Sequence, residues 1–131
     1  MRRVFTSFSQ LPELLDLAED DCRRAGLPDA LAFNAQVVLE ELFVNIFKHA
    51  YQDRDGPVEV TLKTEKTALF IQVADQGPAF DPLTAETPDL EQRFADGLPG
   101  GAGLVLLRAM ARDLRYARRE DRNILEMRIT A

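Results

Sequence analysis

The chain has no tryptophan, one cysteine (Cys22) and one histidine (His49) in 131 residues. A lone cysteine closes no disulfide within the chain. One cysteine and one histidine build no Cys/His metal cluster. Cys22 falls at an apolar position of a helical pattern, which predicts a buried, inert thiol. No apolar run approaches a membrane span, and residues 1–8 carry charge without the apolar stretch of a signal peptide. The expectation is a reducing cytoplasm and no membrane contact. Positive charge is scarce too: 16 Lys and Arg face 22 Asp and Glu, a net charge of −6. That argues against a broad nucleic-acid surface. The late arginines, Arg108, Arg112, Arg115, Arg118, Arg119 and Arg122, read as a solvated strand face or a partner surface.

What is present suffices for one ordinary domain, residues 1–131, with a hydrophobic fraction of 46%. Residues 3–8 read as a short strand, with Ser9 able to cap the helix that follows. In that helix Leu11, Leu14, Leu15, Ala18, Cys22 and Ala25 recur at helical spacing, and Gly26 and Pro28 end it. Asp29 is the expected N-cap of a second helix reaching about Tyr51, with Val38, Leu42 and Ile46 buried. Gln52 to Pro57 is a turn. Val58, Val60 and Leu62 alternate with Glu59, Thr61 and Lys63, as in a half-buried strand. Leu69 to Ala74 is its hairpin partner and ends at Asp75.

Residues 81–100 break the regularity with Pro82, Pro88 and Pro99, and read as a mobile lid. Leu104 to Leu114 is helical. A last hairpin pairs Leu114–Arg119 with Ile124–Thr130 across a turn at Glu120–Asn123. The order βααββ–lid–αββ predicts an α/β (α+β) two-layer sandwich. Its sheet is mostly antiparallel but mixed, covered on one face by three helices.

Three segments carry chemistry. Glu41, Asn45, Lys48 and His49 stand at i, i+4, i+7 and i+8, one face of an α-helix. A polar stripe among large apolar residues is either a defect in a core or the lining of a site. Asp75-x-Gly77 follows an apolar strand. A carboxylate there needs a donor, such as the exocyclic amine of adenine, and Gly77 would let a flat base approach. An ordinary turn reads the same way. Gly100, Gly101 and Gly103 precede a helix whose free N–H groups suit a phosphate. The absence of Gly-Lys-Ser/Thr excludes a P-loop, and Leu106 stands where a dinucleotide fingerprint needs glycine.

The three segments in this order resemble the GHKL (Bergerat-type) ATPase superfamily over essentially the whole chain. Within it they resemble the small bacterial anti-sigma-factor serine/threonine kinases. Residues 41–51 look like the N box, 75–82 like the first glycine box and 101–110 like the second. The resemblance implies ATP and Mg²⁺ as cofactors. Asn45 would be the metal ligand and Glu41 the general base. Asp75 would select adenine and Gly77 make room for it, with Phe80 in the same box. Gly101, Gly103 and Leu104 would meet the phosphates, Lys48 reach toward one, and His49 form a packed or hydrogen-bonded wall.

An anti-anti-sigma protein would be the phosphoacceptor and a sigma factor a sequestered partner. A serine phosphatase in the same pathway and a homodimer also follow from the resemblance. One departure stands out. Some such kinases carry an arginine just before the second glycine box, where residues 97–100 here hold none and Arg93 lies further back. That favours, as the alternative, an ATP-gated binding switch without phosphoryl transfer. A stand-alone histidine-kinase-like ATPase domain would need a phosphoacceptor histidine elsewhere. Gly100 to Gly103 before leucines faintly resembles the pyrophosphate loop of an acetyl-CoA-dependent N-acetyltransferase, which leaves Glu41, Asn45 and Asp75 unexplained.

Overall fold

The computed structural model describes residues 1–81 and 102–131. Alternation builds the sheet. On β2 (Val58–Thr64) Val58, Val60 and Leu62 are buried, and on β3 (Leu69–Asp75) Leu69, Ile71 and Val73 are. β5 (Arg122–Ile129) adds Met127 and Ile129. Residues opposite one another in an antiparallel pair share a face. The rows Leu62–Ile71–Met127 and Val60–Val73–Leu125 therefore line one side. β1 (Arg2–Phe5) joins β2, and β4 (Ala111–Arg119) joins β5, giving the order β1-β2-β3-β5-β4. Every described strand pair is antiparallel. The two-layer architecture is as expected, but the parallel component of a mixed sheet is absent from the described residues. Each hairpin and the helical connection from β1 to β2 return the chain in the opposite sense, and β4, which runs in the same sense as β3, is separated from it by β5.

Helices cover the inner face. α1 (Leu11–Arg24) buries Leu11, Leu14, Ala18 and Cys22. α2 (Asp29–Phe43) buries Leu31, Ala35, Val38, Leu39, Leu42 and Phe43. Its axis continues through a π-helical stretch, Val44–Ala50, which buries Ile46 and Phe47. α3 (Ala102–Met110) packs on α2 and places Leu107 in the same contiguous core. The helical span Asp29–Ala50 is, contrary to the sequence reading, long and apolar enough to cross a membrane. Half of its most apolar window is already buried inside the fold, as in a core helix.

Several element ends differ from expectation. β1 stops at Phe5, and Phe8–Gln10 forms a 3₁₀ turn capped by Ser7 rather than Ser9. Ser9 N donates to Ser7 Oγ at 3.3 Å, and Gln10 Oε1 accepts from Thr6 N and Ser7 N. That reciprocal capping box outcompetes a cap at Ser9. Asp29 is the first residue of α2, and Pro28 precedes it in extended conformation. Ala111–Leu114 belongs to β4, not to the helix before it. β4 is an edge strand, irregular between Arg112 and Arg115, with Asp113 at φ 53°. Its bulge and exposed arginines disfavour pairing with a stray strand.

Cys22 is fully buried, and burial, then the neighbouring Asp21 charge, pushes its thiol pKa up. The native protein should therefore leave a thiol-specific disulfide reagent unreacted. One equivalent should react after denaturation. Rapid labelling of the native state would contradict this placement.

Candidate functional site

One rung of the sheet holds the buried polar residues. The register Phe5–Val58–Asp75–Asn123–Arg118 runs straight across all five strands. Asp75 and Asn123 are only 8% and 7% exposed, and polar groups that deep need partners. They supply them mutually. Asn123 Nδ2 donates to Asp75 Oδ1 at 3.0 Å, and Gly77 N donates to the same oxygen at 2.8 Å. Asn123 Nδ2 also reaches Pro78 O at 2.9 Å and Gly77 O at 3.4 Å. Asn123 Oδ1 accepts from Tyr116 Oη at 2.6 Å and from Phe80 N at 3.2 Å. Arg118 Nη1 donates to Gly77 O at 2.8 Å. Among the described residues Asp75 Oδ2 takes no hydrogen bond, so it is the acceptor left for a ligand.

The sequence carries no signal for Asn123 or Tyr116 here and places Asn123 in a turn. Arg118 is exposed on its strand, as expected of a solvated face or partner surface, and in addition reaches Gly77 O. The turn is in fact two residues, Glu120 and Asp121, both with positive φ. This is the hairpin geometry that matches strand twist. Pairing the hairpin on that turn puts Asn123 opposite Arg118. Its pairing with Asp75 is tertiary and had no local signal.

The helical stripe divides. Glu41 and Asn45 are half-buried, whereas Lys48 and His49 are exposed. The π-helical turns close with i→i+5 bonds and take about one residue more per turn than an α-helix. Position 48 thus rotates off the face that Glu41 and Asn45 share, while position 49 stays near that face at its exposed end. His49 is exposed and takes no hydrogen bond among the described residues, whereas a packed or hydrogen-bonded wall residue was expected. Lys48 Nζ lies 3.1 Å from Asp53 and 4.6 Å from the centroid of the Phe8 ring, so it is occupied locally. No described residue hydrogen-bonds the carboxamide of Asn45 or the carboxylate of Glu41. Burial, then the adjacent Glu40 charge, raises the Glu41 pKa.

That shift has a thermodynamic sign. A carboxyl whose pKa is raised by folding contributes stability below its unfolded pKa, and the contribution is lost as pH rises through the folded value. Ionised Glu41 therefore costs stability at neutral pH. Glu41→Gln should melt above the wild type at pH 7, with the difference vanishing toward pH 4. An equal or lower Tm across that range would contradict the burial of this carboxyl.

The helix and the rung meet at Gly77. A Cβ built there would lie 2.8 Å from Ala50 Cβ and 3.0 Å from Asp75 Oδ1. Glycine at 77 thus lets the helix end close on the strand end, whereas room for a flat base was the reason expected from sequence. Tyr51 adds a second link: its hydroxyl accepts from Gln76 N at 2.8 Å and donates to Pro57 O at 2.6 Å. Burial raises the Tyr51 pKa, the Gln76 bond opposes this, and the Asp75 charge adds to it.

Of the second glycine segment, Gly101 and most of the lid (82–100) lie outside the described residues. Gly103 and Leu104 fall in the first turn of α3, which starts at Ala102 rather than Leu104. The N–H groups of a first turn lack intrahelical partners. Phe80 is 58% exposed at the mouth of the rung.

The donors fit Mg²⁺ rather than a metal caged by protein. Among the described residues no three His, Cys, Asp or Glu side chains gather to hold an ion. Asn45 offers one hard oxygen, and Mg²⁺ takes few protein ligands when phosphates and waters supply the rest.

A family model described as a histidine kinase-like ATPase domain matches residues 6–129. The serine/threonine-protein kinase BtrW of Bordetella bronchiseptica is 33% identical over 98 residues, covering 74% of this chain and 69% of that protein. Among solved structures, the Acinetobacter baumannii histidine kinase AdeS aligns over 99% of this chain and 67% of its own. Its TM-score is 0.51 at 16% identity. A nucleotide-free catalytic domain of the histidine kinase ThkA aligns over 99% of this chain and 97% of its own, with TM-score 0.51 and 16% identity. The structural likenesses show the fold. With a family match across nearly its full length, the chain belongs to the histidine kinase-like (GHKL) ATPase family.

Proposed function

We propose that this chain, as one domain over residues 1–131, is an ATP- and Mg²⁺-dependent protein kinase of the anti-sigma-factor type. It transfers phosphate to a serine or threonine of an anti-anti-sigma partner. The observation that carries the reading is the junction at Gly77. It sets the carboxylate of Asp75, with Oδ2 unclaimed among the described residues, against the end of the helix that bears Glu41 and Asn45. BtrW's name as a serine/threonine-protein kinase supports the same activity.

In this reading Asp75 Oδ2 accepts the adenine amine, and Phe80 flanks the base. Asn45 Oδ1 holds Mg²⁺, which when bound neutralises charge on the phosphates. The first-turn N–H groups at Gly103 and Leu104, with Gly101 ahead of them, meet phosphate oxygens. Glu41 takes the proton of the attacking hydroxyl as its oxygen bonds the terminal phosphorus. The bridging oxygen then leaves with ADP. Lys48 joins only by leaving Asp53, and His49 stays at the rim. The same surface would sequester a sigma factor, and a serine phosphatase would reverse the modification. A cytoplasmic setting, a homodimer, and no contact with nucleic acid or membrane belong to this reading.

Terminally labelled ATP, incubated with this protein and an anti-anti-sigma-type partner from the same gene neighbourhood, should label that partner on serine or threonine. ATP binding with no label in any such partner would overturn the kinase and leave an ATP-gated switch. Lys48 engaged by Asp53 and Phe8 is the observation that favours that second reading.

A further inference from the structure

Asn123 is saturated with protein hydrogen bonds, so it has nothing left to offer a ligand. Its orientation is fixed as well. The Phe80 N–H can only donate and the carbonyls of Gly77 and Pro78 can only accept. A flipped amide would set NH₂ against N–H and oxygen against two oxygens. Tyr116, one strand over, completes the arrangement by donating its hydroxyl to Oδ1 at 2.6 Å.

We propose that Asn123, oriented by Tyr116, is a positioning residue that sets purine selectivity by locking the plane of the Asp75 carboxylate. The proposal rests on Asp75 being the base-reading group. Two donors on Oδ1, Gly77 N and Asn123 Nδ2, fix the rotation of the carboxylate. Oδ2 then projects in one direction as a pure acceptor. That suits a purine with an amine at position 6. A purine with a carbonyl at that position presents an acceptor there and its donor at the adjacent ring nitrogen. A carboxylate free to rotate could swing to that donor, and a locked one is denied it. Asn123 therefore discriminates without touching the base.

The test is the ratio of dissociation constants for ATP and inosine triphosphate, whose bases differ at position 6. Isothermal titration with Mg²⁺ on the full chain reads it for wild type, Asn123→Ala and Tyr116→Phe. Wild type should prefer ATP by about tenfold or more, the scale of one hydrogen bond to a charged group. Asn123→Ala should bring the ratio close to one, and Tyr116→Phe should lower it several-fold, with inosine triphosphate affinity held or improved. Equal loss for both nucleotides, leaving the ratio unchanged, would show a merely structural role and overturn the proposal. If Asn123→Ala does not fold, Tyr116→Phe decides by the same ratio, since it keeps the ring and removes one hydroxyl. Wild type binding neither nucleotide would instead sink the ATP reading itself. Wild type binding ATP with a ratio that neither variant moves fells the positioning role alone.

Discussion

Replacing Glu41 with alanine should lower phosphate transfer by about 10²–10⁴-fold, the usual contribution of a positioned general base. ATP affinity should stay near the wild-type value. The asymmetry follows from placement. Glu41 is half-buried, free of protein partners among the described residues, and one turn before Asn45 on the same face. It is available to the attacking hydroxyl and is not spent on the nucleotide. Its raised pKa adds a second signature. A base works only when ionised. The transfer rate should therefore rise with pH through a midpoint higher than that of an ordinary glutamate, and Glu41→Gln should abolish that limb. Asn45→Ala is the contrast, because losing the proposed metal ligand should weaken Mg²⁺-dependent binding as well as transfer. Undiminished transfer by Glu41→Ala would remove Glu41 from the base role.

How far these residues were legible in the sequence depended on whether their signal was local. The strand alternation at Val58–Leu62 and the Asp75-x-Gly77 turn are local patterns, and the sheet and its inner face followed from them. The stripe of Glu41, Asn45, Lys48 and His49 was read at 3.6 residues per turn. That holds through Phe43 and fails in the π-helical turns beyond, which turn Lys48 away from Glu41 and Asn45. Asn123 is the clearest omission. As an asparagine after Glu120-Asp121-Arg122 it looks like turn chemistry. Its role comes from standing across from Asp75, 48 residues away, which only the β3–β5 register defines. For Gly77 the structure adds a reason that has no local signal: the crowding atom is Ala50 Cβ, on an element distant in sequence.

The second large effect concerns stability. Phe43→Ala should cost about 3–5 kcal/mol, the range for emptying a buried phenylalanine site. Tm should fall on the order of 10–20 °C for a chain of this size. Phe43 is fully buried and central to a run of edge-to-face rings. It meets Phe5 at 5.7 Å and Phe47 at 5.2 Å, and Phe47 in turn meets Tyr51 at 5.7 Å. The run begins on β1 and ends at the hydroxyl that holds Gln76, next to Asp75. Two terms add: lost burial with its cavity, and aromatic contacts worth about 0.5–1.5 kcal/mol each. Phe43→Leu should recover the burial term but not the ring contacts, and so fall between alanine and wild type. If the ladder serves the fold and leaves the site's geometry intact, ATP–Mg²⁺ at about 100 times its Kd should restore roughly 2.7 kcal/mol to either variant, as it would to wild type. A markedly smaller nucleotide-induced shift in Phe43→Ala would mean that the same rings also set the geometry of Tyr51 and the Asp75 carboxylate. A loss under about 1 kcal/mol would show that the site refills, contradicting the tight ring packing described for it.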